Sequence, residues 1–260
     1  MIKIGSNSVN AIYFGSSAVD RLYYNGEMIW PDGDCATKVT YVDGTEETFK
    51  IKGKLTSSSI DNILDVIEVE IGLDVTSIGG YAFYNCSELT SVTIPDSVTS
   101  IDWNAFENCS SLTNVTIPDS VRSIGSVAFG GCSRLTSVTI SNGVMEIESW
   151  AFASCTGLTS VIIPDSVTSI GRNVFECCSG LSSMTIPDSV TSIGGSAFWN
   201  CTELTSVTFE GFDKSTTKSM ITIDYIFGEA FVDLDTWELI EKTFTVNCTD
   251  GSFTVTFGTD

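Results

Sequence analysis

A unit of 23 residues recurs through the middle of this chain, and it limits what the chain can fold into. One copy runs from Leu89 to Ser111. Cysteine returns at Cys86, Cys109, Cys132, Cys155, Cys178 and Cys201. Leucine follows three residues later, at Leu89, Leu112, Leu135, Leu158, Leu181 and Leu204. Phenylalanine precedes by three, at Phe83, Phe106, Phe129, Phe152, Phe175 and Phe198. A fixed period of this length is the signature of a solenoid, in which each unit forms one coil.

The unit itself shows how a coil closes. Leu89, Val92 and Ile94 are spaced L-x-x-V-x-I, and the V-x-I part alternates as a half-buried strand does. Pro95 lacks a donor and Asp96 favours a turn, so the strand stops there. Val98 and Ile101 resume the apolar spacing. Ala105, Phe106 and Cys109 form a third apolar cluster, read here as a short helical turn. One coil cannot bury its own apolar face, whereas stacked coils share a core and a strand ladder, rising ~4.8 Å each. Val66, Val69, Ile71, Val75 and Ile78 hold the same register, so a degenerate first coil begins before the obvious ones.

The repeat resembles the BspA-like, treponemal-type leucine-rich repeat. The residues that carry the likeness are Leu89, Val92, Ile94, Pro95, Val98, Ile101, Ala105, Phe106 and Cys109, and it extends over about residues 66–209. Ser141-Asn142-Gly143 in place of Pro-Asp-Ser, Val174 in place of Ala and Met184 in place of Val depart from it without disturbing a coil. The resemblance implies a mostly β leucine-rich-repeat solenoid with parallel β-strand ladders, short helical turns and β-hairpin caps. It also implies cell-surface or virion-associated binding rather than catalysis.

Composition narrows the partners. The net charge is −21, with 33 acidic against 12 basic side chains. That argues against nucleic acid and anionic membrane, because phosphate binding needs basic residues. No apolar run is long enough to span a bilayer as a helix, which excludes membrane insertion of that kind. The first ten residues, MIKIGSNSVN, lack a basic leader followed by an apolar segment. The expectation is a mature surface or extracellular protein whose signal was removed, or else a virion-associated or cytoplasmic one.

The nine cysteines do not read as a disulfide framework. Six share one repeat position and should stack as a column, with parallel side chains too far apart at Cβ for a bridge. They are expected to be small buried thiols. No metal site or cofactor is expected: there is no histidine and no C-x-x-C pair. Asp96, Asp119, Asp165 and Asp188 share one turn position, and stacked pairs could share calcium. The simpler reading is that each bonds its own turn.

The flanks divide the chain. Residues 1–32 carry a looser ten-residue repeat, Ile4-Gly5-Ser6 against Phe14-Gly15-Ser16, and read as a small module of linked hairpins. It is similar to N-terminal modules on repeat proteins of gut bacteria and their phages, which makes a homo-oligomer through this module one expectation. Residues 33–65 hold a hairpin around Asp43-Gly44, a short helix after Ser59 and the N-terminal cap. Residues 66–211 are the solenoid. Residues 212–260 form a C-terminal cap. There Asp235 and Glu238 read as a helix capping box ahead of Leu239 and Ile240. Met220 to Phe231 are expected to cover the last coil's open edge. Asp250-Gly251 marks another hairpin.

No catalytic constellation is present, since Ser-His-Asp chemistry needs a histidine. A hydrolase with paired carboxylates would need a cleft, which a regular solenoid does not offer. Hydroxyls dominate the outward strand positions, as in Thr90, Ser91 and Thr93, and suit an exposed strand. Two short windows vary from coil to coil and hold large aromatics. Tyr81, Tyr84, Trp103, Trp150 and Trp199 are therefore the candidate binding residues, as aromatics are favoured anchors. The expected function is non-enzymatic binding or adhesion to a protein or glycan, with a phage-tail or receptor-binding component as the alternative.

Overall fold

The computed structural model describes residues 35–211 throughout. It also describes the strands Lys3–Ile4, Asn7–Ser8, Ala11–Phe14, Val19–Tyr24, Glu27–Trp30, Phe231–Val232, Leu239–Ile240, Lys242–Cys248 and Gly251–Phe257.

Two parallel ladders run along the solenoid. The first is built from the x-V-x-I strands: Val66–Glu70, Ser91–Thr93, Asn114–Ile117, Ser137–Ile140, Ser160–Ile162, Ser183–Ile186 and Ser206–Phe209. The second uses shorter strands: Gly53–Leu55, Val75–Ile78, Ser100–Ile101, Ser123–Ile124, Glu146–Ile147, Ser169–Ile170 and Ser192–Ile193, in one seven-stranded sheet. Like pairs with like, Val115 with Val138 and Ile124 with Ile147. The Ser141-Asn142-Gly143 turn leaves this register intact on both sides.

The core is a set of columns. The leucines, phenylalanines and cysteines of the repeat are fully buried. From Phe83 to Phe198 the rings stack nearly parallel, with centroids 5.0–5.8 Å apart, and each such pair contributes about 0.5–1.5 kcal/mol beyond area burial. None of the six column cysteines is in a disulfide. The column does more than fill space: Cys86 donates to Ile63 O, and each later thiol of the column donates to the phenylalanine carbonyl one coil back. Cys109 Sγ lies 3.2 Å from Phe83 O, and Cys132, Cys155, Cys178 and Cys201 repeat the bond. Burial pushes the Cys86 thiol up to about 12 and raises Cys109, Cys155 and Cys201 well above the ordinary range. These groups therefore keep the proton they donate, and a buried neutral thiol is a poor nucleophile.

The third side of each coil is not helical, contrary to the sequence reading. Alternate N–H groups there leave the coil. Ala82, Tyr84 and Cys86 donate three residues back, to Gly79, Tyr81 and Phe83. Tyr81, Phe83 and Asn85 donate forward instead, to the Trp103, Ala105 and Glu107 carbonyls of the next coil. A helix would direct every donor backward along its own axis. Consecutive turns keep half of them for the stack.

The first ladder is interrupted once. Val66–Glu70 and Ser91–Thr93 share a four-stranded sheet with the antiparallel hairpin Thr37–Tyr41/Glu46–Phe49, while Asn114–Ile117 begins a separate seven-stranded sheet. At this seam the Thr113 N–H to Thr90 O distance is 3.5 Å, against 2.9 Å for Thr136 to Thr113. Asn114 stands where neighbouring coils have Ser91 and Ser137, and its amide donates to the Thr113 hydroxyl.

At the far end the hairpin Lys242–Cys248/Gly251–Phe257 adds to Ser206–Phe209, Lys242–Cys248 pairing in parallel, so a strand continues the ladder past its last repeat. Leu239–Ile240 pairs antiparallel with Phe231–Val232, which corrects the helix expected from Asp235 and Glu238. Capping-box chemistry is weak against the pairing of two apolar strand segments. The rest of the Met220–Phe231 stretch expected to cover the edge lies outside the described residues. Near the N-terminus Lys3–Ile4 pairs with Asn7–Ser8, and Ala11–Phe14, Val19–Tyr24 and Glu27–Trp30 form an antiparallel sheet. The helix after Ser59 is a single 3-10 turn, Ile63–Asp65.

Candidate recognition surface

The two outer sides of a coil treat their side chains differently. On the strand side the threonine after the leucine is tied down. Thr136 donates both its N–H and its Oγ1 to Thr113 O, at 2.9 and 3.0 Å. Thr90, Thr159 and Thr205 do the same one coil apart. Ser97, Ser120, Ser166 and Ser189 of the Pro-Asp-Ser turns donate to Val75, Val98, Val144 and Val167 carbonyls. The hydroxyl array is thus partly a ladder of its own. The turn aspartates Asp96, Asp119, Asp165 and Asp188 are exposed. Among the described residues no group of three or more acids and cysteines is placed to hold a metal ion.

The turn side holds its shape mainly through backbone, and its surface side chains link coils only here and there, as Ser126 Oγ does to Ser149 O and Asn108 Nδ2 to Asn85 Oδ1. Each coil carries two left-handed residues, four apart: Tyr81 and Asn85, Asn104 and Asn108, Val127 and Gly131, Trp150 and Ser154, Asn173 and Cys177, Ser196 and Asn200. Asparagine and glycine suit this conformation. Tyr81, Val127 and Trp150, at φ 58–59°, do not. A bulky or β-branched residue there is an outlier that costs about 1–3 kcal/mol. The sequence reading saw variable windows but not this constraint. The signal was available as the recurrent asparagines at 85, 108 and 200.

The five candidate aromatics all lie on this side. Tyr81, Tyr84, Trp103 and Trp150 are exposed, Trp103 by 51% and Trp150 by 41%, while Trp199 is half-buried. The structure brings three of them together. Tyr81 meets Tyr84 and Trp103 edge to face, with centroids 5.2 and 4.5 Å apart. Trp103 lies over Gly80, where a Cβ would come within 2.9 Å of the ring. Trp150 stands two coils further on, its Nε1 donating to Glu176 at 3.2 Å. Trp199 joins neither group through any aromatic contact among the described residues.

A stack of strand-and-turn coils with a repeated leucine column is a leucine-rich-repeat solenoid. The chain belongs to the BspA type leucine rich repeat region family, whose model matches six copies over residues 53–176 and 101–222. Among solved structures it is similar to the leucine rich repeat protein of T. pallidum. The identity is 34%, covering 55% of this chain and 64% of that one, with a TM-score of 0.43. A leucine-rich repeat protein from Bacteroides ovatus is 24% identical, covering 66% of this chain and 61% of that one, TM-score 0.31. A leucine rich cell surface protein from Faecalibacterium prausnitzii is also 24% identical, over 68% of this chain and 75% of that one, TM-score 0.33. The match thus spans less than two thirds of the first two relatives' length. Comparison with curated proteins finds no match. Among the described residues no helix is long and apolar enough to cross a membrane.

Proposed function

We propose that this chain is a non-enzymatic recognition protein that binds a protein or glycan partner through the turn side of its coils. The observation that carries this is the retention of exposed Tyr81 and Trp150 at left-handed positions where Asn104 and Asn173 serve the backbone. Side chains that strain their own backbone point to selection for something other than the stack. Membership of a repeat family whose fold is a scaffold rather than a cleft supports the same reading. An adhesin at a bacterial surface is the role that fits best, and no observation among the described residues favours a phage-tail component. Oligomerisation through residues 1–32 belongs with this proposal and is read out by light scattering.

The test is a binding screen against glycans and mucin-type glycoproteins, followed by two variants of the hit. Tyr81→Asn with Trp103→Ala removes two of the three rings of the aromatic group, and Thr93→Ala with Thr116→Ala alters the strand side. The first is expected to weaken binding about tenfold and the second to leave it unchanged. The reverse pattern places recognition on the strand side and overturns the proposal.

A further inference from the structure

Between the aromatic group and Trp199 the turn side holds a hollow of about 370 Å³, lined by Glu107, Asn108, Val127, Gly130, Gly131, Trp150, Ala153 and Ser154. We propose that this hollow receives a cationic side chain, arginine or lysine, from a protein partner; the assignment rests on the turn side being the recognition surface.

Three observations place it here. First, the floor is locally lowered. Gly130-Gly131 and Ala153-Ser154 stand where other coils carry Tyr84-Asn85 and Glu107-Asn108. Second, two of its walls, Val127 and Trp150, are the strained left-handed residues of adjacent coils, so the unfavourable backbone coincides with the depression. Third, the lining is rich in acceptors. Asn108 uses its Nδ2 to donate to Asn85 Oδ1, and its own Oδ1 projects over Gly131, 2.3 Å from where a Cβ would sit. Glu107 adds a carboxylate, Ser154 a hydroxyl, and Trp150 an indole whose N–H is anchored on the Glu176 carboxylate.

Acceptors grouped around an indole, with no cation in the lining, complement a donor that carries positive charge and lies flat on a ring. A guanidinium does both. The cations of residues 66–211 are Arg122, Arg134 and Arg172. Arg172, whose carbonyl accepts the Trp150 backbone N–H, does not line the hollow. Charge complementarity therefore favours a basic protein segment over a neutral sugar.

The test uses the whole chain and a blocked hexa-arginine peptide carrying a fluorophore, at about 150 mM salt, where long-range attraction to the acidic chain is screened. Trp150→Asn removes the indole and leaves a residue that tolerates the left-handed backbone. Gly131→Asn fills the floor by extending the Asn85–Asn108 series. Asp96→Asn with Asp119→Asn removes charge elsewhere. The expected result is binding weakened about fivefold or more by each of the first two variants and less than twofold by the control, with Trp150→Asn melting above the wild type and none of the three unfolded at the assay temperature. Equal binding by wild type and Trp150→Asn overturns the proposal, as does no peptide binding at all. Loss of a neutral mannose hexasaccharide instead of the peptide also overturns it, because the occupant is then a glycan, while the turn-side reading stands. If the peptide responds to Trp103→Ala but not to Trp150→Asn or Gly131→Asn, the hollow fails and recognition by the aromatic group survives.

Discussion

The strand side and the turn side of one coil solve the same stacking problem with different means. The strand side spends its side chains on the stack: Thr136 and Ser166 are held to carbonyls of the preceding coil. The turn side stacks first through N–H groups, as from Phe129 to Ala151 and from Gly131 to Ala153, and its surface side chains add only non-repeating bonds between coils, such as Asn108 to Asn85 and Ser126 to Ser149 O. Residues at its surface therefore vary freely, provided the left-handed positions are tolerated. Where a fold satisfies most of its backbone without a repeated side-chain bond, most surface side chains become available for recognition.

That comparison can be broken at several depths. The deepest is the column both sides share. Phe129→Ala, between Phe106 and Phe152, is expected to cost about 3–5 kcal/mol in a urea titration. A smaller loss means that the stack collapses around the gap.

Next is the thiol column. Cys155→Ala removes the bond to Phe129 O and should cost about 1–2 kcal/mol. The thiols also make stability pH-dependent. Below the ordinary thiol value of 9.0 both folded and unfolded chains are protonated and the contribution is fully present. Above it the unfolded chain ionises first, so stability falls as pH rises towards about 12, where Cys86 titrates in the folded chain. Cys155→Ala should show a shallower alkaline slope, by roughly 1.4 kcal/mol per pH unit. An unchanged slope shows that this thiol does not contribute.

Thr136→Val tests the strand side itself. It keeps the shape, deletes the hydroxyl bond to Thr113 O, and is expected to cost about 0.5–1.5 kcal/mol. A neutral result places the strand-side hydroxyls with the free side chains and removes the contrast. The smallest effect belongs to the seam. Asn114→Ser frees the Thr113 hydroxyl to face Thr90, and slower amide exchange at Thr113 with a gain of a few tenths of a kcal/mol is expected.

The periodic part of this architecture was legible in the sequence because every coil repeats the same apolar positions. Leu89, Phe106 and Cys109 each announce a column, and all three are buried. What was not legible depended on backbone direction. Ala105-Phe106 reads equally well as a helical turn or as consecutive turns, and only the forward N–H bonds separate the two. The capping pair Asp235 and Glu238 misled for a similar reason, since local polar signals do not reveal that Leu239–Ile240 finds a strand partner at Phe231–Val232. The aromatic candidates were visible as composition, but the grouping of Tyr81, Tyr84 and Trp103, apart from Trp199, is a property of the stack. Ile162 remains unexplained. It is 78% exposed on the hydroxyl face beside Thr139 and Thr185, and no contact among the described residues accounts for it.

The central claim is that the turn side carries bulky residues at the expense of its own backbone. It is tested most directly by the thermal unfolding of Val127→Asn with Trp150→Asn. Both substitutions place a residue that tolerates positive φ where one that does not now stands. The account predicts a higher melting temperature, by about 2–4 °C for each kcal/mol of strain relieved. A lower melting temperature would mean that these side chains hold the coil together, and would contradict the account.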